Sequence, residues 1–519
     1  MANISSAATG DWNATSSWSG GVVPVAGDKV TILNTHNITL TQDQPAGAVI
    51  INSGGTLTGG GFKLTLNDAA GTTFIFSNVG TISGVLDIDI TGGSADRPIN
   101  EAGTGNIRNL LINNAQTYNL HYHLTLDGNL TLTTGTLTTV SSGGTDMNLT
   151  VTGTTTIGPT SGAADQATLT CNGSNISLGA LRQQADYALN IEIGGTFVGG
   201  TGTHTFGSLF MAQSANAKAT MTTGQVKVNG YNNSANKSWR VEYGGDTFDN
   251  ANGTVMFQFN GFDSRMSMRG DSHANNAFHN LIIHMNGDTR QISPDNGNKI
   301  IVDNDLTITR GKLVMGINHE LEVGGDVVID DASDTAELEM GSSSNISSKA
   351  ATFGSLTIGN EGTYKATSGT TTITKGSATP GHSGLPSAIE VVSGGTFTHN
   401  SGTVLLSSAY DQDLEFDGTG NMYNLTINKS DNDVIHNSNL TIEGNLSITL
   451  ATAHTFRPNT GSRTLTVIGD VTIVEGKVGA TTNYTGAISF GSLTIESGGT
   501  YIATSGTTTI TDETSGGYG

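Results

Sequence analysis

Residues 353–374 read FGSLTIGNEGTYKATSGTTTIT and residues 490–511 read FGSLTIESGGTYIATSGTTTIT, identical at 18 of 22 positions. The shared letters are Thr, Ser, Gly and alternating apolar residues, with hardly a catalytic group among them. A segment repeated so closely and so free of reactive side chains is architecture. It commits the chain to stacking like pieces on one another.

This pair belongs to a longer repeat. NLLI (109–112), NLII (280–283) and NLTI (424–427) come first, followed by LTLDGNLTL (124–132), IIVDNDLTI (300–308) and LTIEGNLSI (440–448). LTVTGTTTI (149–157), LEVGGDVVI (321–329) and LTVIGDVTI (465–473) complete the series. Between second and third copies the offsets are 144 (280 to 424), 140 (306 to 446), 144 (321 to 465) and 137 (353 to 490). Strands are therefore held while turns gain and lose residues. The landmarks divide the chain into an N-terminal cap with first coils (1–79), a longest first repeat (80–252) with an aromatic insertion near its end, a second repeat (253–401) and an incomplete third (402–519).

Each landmark alternates apolar and polar residues about a short Gly, Asn or Asp turn. In LTIEGNLSI, Leu440, Ile442, Leu446 and Ile448 share one face, and Thr441 and Ser447 the other. Strands recurring without any 3.6-residue period predict an all-β, single-stranded parallel β-helix of roughly 20 coils, at about 20–25 residues each. Leu149, Leu321 and Leu465 are expected inside, and Thr150, Glu322 and Thr466 outside. The alternative is three tandem β-sandwiches of about 150 residues. Against it stands the absence of linkers rich in Pro or charge.

Composition agrees. Gly fills 71 of 519 positions, Pro 8, and charged residues are 13%, about half the usual share. The balance of 22 basic and 44 acidic residues gives −22 with no basic run, which argues against a nucleic-acid partner. The single cysteine, Cys171, excludes an internal disulfide framework and reads as a small buried side chain. MANISSAATGDWNATSSWSGG has no basic start, apolar core or cleavage signature, and no window approaches a membrane span, so synthesis in the cytosol without membrane insertion is expected.

The most specific stretch is GDWNATSSWSGGVVPVAGDKVTI. Trp12, Trp18, Gly20, Gly21, Pro24, Gly27, Asp28, Val30 and Ile32 follow a pattern, W-x-G-G-x-x-P-x-x-G-D-x-V-x-I, that resembles the opening of many secreted and phage-encoded β-helix proteins. The resemblance covers about the first 60 residues. Beyond them the chain is similar only in general grammar to right-handed β-helix adhesins and tail spikes. It implies a structural cap formed by Trp12, Trp18, Pro24, Gly27 and Asp28, with the two indoles covering an open end of the apolar core. It also implies a virion appendage (fibre, spike or capsid decoration) made in the host cytoplasm. Its partners would be other virion proteins or a host-surface glycan or protein, and its assembly, as in many such fibres, a homotrimer. A secreted or cell-surface adhesin is the alternative location.

Groups that could carry chemistry are few. Asp87 and Asp89 in VLDIDI, and Asp413, Glu415 and Asp417 in DLEFD, resemble the carboxylate pairs of glycosidases and lyases. The plain reading puts Leu86, Ile88, Ile90, Leu414 and Phe416 inside and every acid in water, with a weak Ca²⁺ site between stacked acids as the one cofactor to consider. His121 and His123 in HYH are expected on one strand face, in a structural or surface role. Arg269, Gly270, Asp271 and Ser272 spell a cell-attachment sequence that a Gly-, Asp- and Ser-rich chain meets by chance. The stretch 239–269 departs most from the wall pattern. Trp239, Tyr243, Phe257, Phe259 and Phe262 read either as a thicker core under an inserted loop or as a partner-binding surface. Nucleophile-elbow, phosphate-loop and zinc-protease motifs are lacking in the sequence. The expectation is a non-enzymatic structural and adhesive β-helix without catalytic residues, the alternative a tail-spike enzyme that cuts polysaccharide.

Overall fold

A computed structural model describes residues 2–68, 71–163, 165–179, 183–241, 247–258, 261–268, 277–285, 290–295, 299–330, 335–342, 345–375, 387–459, 461–479 and 484–511. Among the described residues, stacked parallel strands form a β-solenoid of about 18 turns. Contacts divide the chain into two compact units, residues 1–256 with 267–276, and residues 257–266 with 277–519.

In the first unit one inward ladder runs Leu124↔Leu149↔Ile176↔His204↔Val226, each pair parallel and in register. The steps along it are 25, 27, 28 and 22 residues (149 − 124, 176 − 149, 204 − 176, 226 − 204). In the second unit the equivalent ladder is Ile300↔Leu321↔Ala351↔Thr371↔Val404, and a third copy runs Leu440↔Leu465↔Ile488↔Thr508. Parallel pairing along these ladders, coil on coil, rules out tandem sandwiches, whose neighbours pair antiparallel.

The predicted register is the one observed. Leu149, Leu321 and Leu465 are 0–2% exposed, and Thr150, Glu322 and Thr466 stand half-exposed on the outer wall. Each buried Leu or Ile contributes about 1.5–3 kcal/mol relative to exposure. The alternation thus supplies the driving force coil by coil.

Turns are joined by a second ladder, of side chain to backbone. Asn109 Oδ1 accepts the Asn129 amide at 2.8 Å, and Asn129 Oδ1 accepts the Thr154 amide at 2.8 Å. Asn424, Asn445 and Asp470 repeat this at 2.8 and 2.9 Å, and Asp305 does it for Asp326 at 2.9 Å. A carbonyl or carboxylate oxygen at each corner thereby satisfies an amide of the next. Where coils approach most closely a side chain has no room: at Gly200 (φ +73°) a Cβ would lie 1.8 Å from the Asn172 carbonyl oxygen.

The chain opens with the strands Asn3–Ser5 and Gly10–Asp11, parallel to Lys29–Ile32 and Asn37–Thr39. Trp12 and Trp18 are 0% and 2% exposed and lie in the core of these first coils. Asp28, itself buried, accepts the Ala2 amide on Oδ1 (2.6 Å) and the Val25 amide on Oδ2 (3.1 Å), tying the first strand to the turn that follows the tryptophans. Pro24 is buried beside that turn, and Gly27 (φ +86°) donates its amide to Asn67 Oδ1.

Candidate functional site

The outward residues of the solenoid also stack in columns. In the first unit one column runs Thr131↔Thr156↔Asn190↔Phe210↔Arg240, successive members about 4.8 Å apart by strand spacing. Its inward neighbours Leu130, Leu189, Leu209 and Trp239 lie in the core, so the backbone that presents the column is held by burial. Beside it opens a cleft of about 330 Å³ lined by Asn129, Thr131, Thr154, Thr156, Asp186, Asn190 and Glu192.

The lining consists of hydroxyl, amide and carboxylate groups. Asn129 is fixed by its bond to the Thr154 amide, and Asn190 Nδ2 donates to the Tyr187 carbonyl at 2.9 Å. Asp186 is exposed at the rim. Glu192 is half-buried, and burial raises its carboxyl above the ordinary range. Next along the column the Phe210 ring stacks on Tyr187 (centroids 5.4 Å, 29°), with the Arg240 guanidinium 5.2 Å above Phe210. Such a surface offers donors and acceptors at coil spacing, ending in an aromatic face. It suits a ligand rich in hydroxyls.

The expected acids behave in two ways. Asp87 is half-buried and meets Arg108 Nε at 2.8 Å, and Asp89 meets Lys63 Nζ at 2.8 Å. Arg108 and Lys63, each from a neighbouring coil, thus pair with the two acids. Among the described residues no group of three or more His, Cys, Asp or Glu is arranged to hold a metal ion. Asp413 and Glu415 correct the expectation of water-facing acids: they are 0% and 4% exposed, and Asp413 Oδ2 accepts from Asn437 Nδ2 at 2.8 Å. Leu414 is core as expected; the strand Gln412–Phe416 is buried on both faces as far as Glu415, and Phe416 at its end is half-exposed.

The aromatic stretch also needs correction as a binding surface. Trp239 and Phe257 are both fully buried. Trp239 takes the rung after Leu209 and packs edge to face on Phe248 at 6.1 Å, filling core volume. Phe262 is half-buried, and Tyr243 and Phe259 lie outside the described residues, as do Arg269, Gly270, Asp271 and Ser272. His121 and His123 sit in the turn between Asn119 and Leu124 rather than on a strand. His121 packs edge to face on Phe74, and His123 Nδ1 accepts the Asn148 amide, each a structural contact. Cys171 is buried, and burial pushes its thiol pKa up.

Sequence reasoning missed the cleft. Asp186 and Glu192 flank YALNI, whose alternation is that of every other wall strand; nothing local marks it as recessed. Among the described residues no helix is long and apolar enough to cross a membrane. No family model, curated protein or solved structure matches the chain.

Proposed function

We propose that this chain is a non-enzymatic structural and adhesive β-helix that holds a hydroxyl-rich surface ligand, a glycan, on the outer wall of its first unit. The observation that carries this reading is the cleft: its Asn, Thr, Asp and Glu lining continues into the Phe210–Arg240 face on one column of rungs. A rigid repeating wall presents such groups without induced fit, which suits adhesion by many weak, evenly spaced contacts. The N-terminal resemblance adds the setting of a virion appendage contacting a particle or a host surface.

A second reading is favoured by one specific feature. Glu192, with its carboxyl raised by burial, shares the cleft with the exposed Asp186, the pairing of unlike carboxylates that glycoside cleavage uses. Incubating the purified protein with a panel of surface polysaccharides separates the two. Retention of a glycan with no new reducing ends supports the adhesive reading. Steady release of reducing ends that Glu192→Gln abolishes establishes the polysaccharide-cleaving enzyme instead.

A further inference from the structure

The cleft beside Asn190 contains two carboxylates, and neither has an ionic partner. Asp186 stands exposed at the rim and Glu192 is half-buried. Among the described residues neither makes a side-chain hydrogen bond or an ion pair, and burial is what raises the Glu192 carboxyl. Other acids on the wall of the same unit bring their own cation. Asp87 meets Arg108 Nε, Asp89 meets Lys63 Nζ and Asp165 meets Lys218 Nζ, each at 2.8 Å.

The rest of the lining is short of donors. Asn129 Oδ1 is committed to the Thr154 amide and Asn190 Nδ2 to the Tyr187 carbonyl, which leaves the amide donor of Asn129 and the carbonyl acceptor of Asn190. The hydroxyls of Thr131, Thr154 and Thr156 can act either way, whereas an ionised carboxylate only accepts. Among the described residues no Lys, Arg or His lines the cleft. Acceptors and negative charge are therefore in surplus, and a partly desolvated carboxylate without a partner costs free energy that a ligand cation can recover. At about 330 Å³ the space lies at the small end of ligand pockets, on the scale of a sugar unit. A bare divalent ion fits less well, because among the described residues no third acid or imidazole joins the pair.

Resting on the glycan reading above, we propose that the cleft selects a sugar with a free amino group, its ammonium meeting Glu192 and Asp186 and its hydroxyls meeting Thr131, Thr156 and Asn190. An ammonium supplies both the donors and the charge that the lining lacks. An N-acetylated sugar offers a single N–H and no charge. A uronate sets another carboxylate against the two already there, so the same pair that attracts an amino sugar repels an acidic one.

The test uses the full-length chain and three oligosaccharides of equal length: glucosamine oligomers with free amines, the same oligomers N-acetylated, and galacturonate oligomers. Dissociation constants are measured at a pH where the sugar amine is charged. The amine form is expected to bind at least ~10-fold tighter than the acetylated form, with galacturonate the weakest. Glu192→Gln should bring the ratio of amine to acetylated affinity to within ~2-fold of unity. Asp87→Asn makes the same change in net charge away from the cleft and should leave that ratio as in the parent. Equal retention of the amine and acetylated forms by the parent chain overturns the proposal and leaves the glycan reading standing. A ratio that Glu192→Gln leaves intact, or that both variants lower alike, overturns it in favour of diffuse attraction to a chain of net charge −22. Retention of none of the three overturns the glycan reading, and the proposal with it.

Discussion

The indole Nε1 of Trp18 donates to the backbone carbonyl of Trp12 at 2.6 Å, and the two rings meet edge to face with centroids 5.0 Å apart. Each tryptophan thus fixes the other: one ring fills the first coils, and its partner's backbone anchors the second. Both lie below 3% exposure, so the pair is enclosed by the first coils.

Removing Trp18 therefore creates a cavity and orphans a carbonyl together. Trp18→Ala is expected to lose about 3–5 kcal/mol, and Trp18→Phe, which restores part of the ring but not the donor, about 1–3 kcal/mol. Denaturant titration measures both. A loss under ~0.5 kcal/mol for the alanine variant would show that the ring caps nothing.

The corner ladder predicts a chemical asymmetry. Asn445 Oδ1 accepts the Asp470 amide, so Asn445→Ala should cost about 0.5–1.5 kcal/mol. Asn445→Asp keeps the accepting oxygen and should change stability by less than ~0.5 kcal/mol. The chain already uses an aspartate this way, at Asp305 toward Asp326. Equal losses for the two variants would mean that the bond contributes nothing.

How far such features can be read in advance depends on what fixes them. Alternation is a local property, so the inward positions of Leu149, Leu321 and Leu465 follow from the sequence alone. It tells which side of a strand faces the core but not what lies over the other side. That is why Asp413 and Glu415 read as water-facing in the sequence and yet are buried. Trp239 illustrates the converse: a large ring in a departure from the wall pattern marks a wider core as readily as a surface, and only its rung beside Leu209 decides between them. The cleft at Asn190 is assembled from residues 129–131, 154–156 and 186–192, which no single window of sequence brings together.

Acid should loosen the structure through buried imidazoles. His204 is enclosed by Phe197 and Phe206, and burial, the leading cause, outweighs the Gly199 carbonyl and lowers its pKa to about 4; His436 is likewise held at about 4. An unfolded histidine takes its proton near ~6.5. The stability these groups contribute is complete above that pH and lost as pH falls toward 4. Glu101 acts in the opposite sense, since burial raises it to about 7 and its contribution fades as pH rises from 4.5 to 7. Two histidines against one glutamate leave about one extra proton on the unfolded chain between pH ~4.5 and ~6.5, a slope of about 1.4 kcal/mol per pH unit from these groups. His204→Phe, a ring for a ring beside Phe197, should reduce the measured slope by about that amount. A slope identical to that of the parent chain would show that the folded protein already admits the proton at His204.

The cleft makes the last prediction. If a glycan lies along Thr131, Thr156 and Asn190 and ends against Phe210, each contact sits one rung from the next and can be removed without touching the core ladder behind it. Asn190→Ala removes an amide that is positioned by the Tyr187 carbonyl, and Phe210→Ala removes the ring between Tyr187 and Arg240. Each is expected to weaken glycan retention about tenfold, or about 1.4 kcal/mol, with denaturation midpoints close to the parent's. Asp87→Asn serves as the control, because Asp87 lies on the same unit's wall but is paired with Arg108 away from the cleft. It should cost less than ~1 kcal/mol in stability and leave retention unchanged. Equal weakening by all three variants would place binding elsewhere on the wall, and full retention by Asn190→Ala and Phe210→Ala would remove the cleft from the adhesive surface.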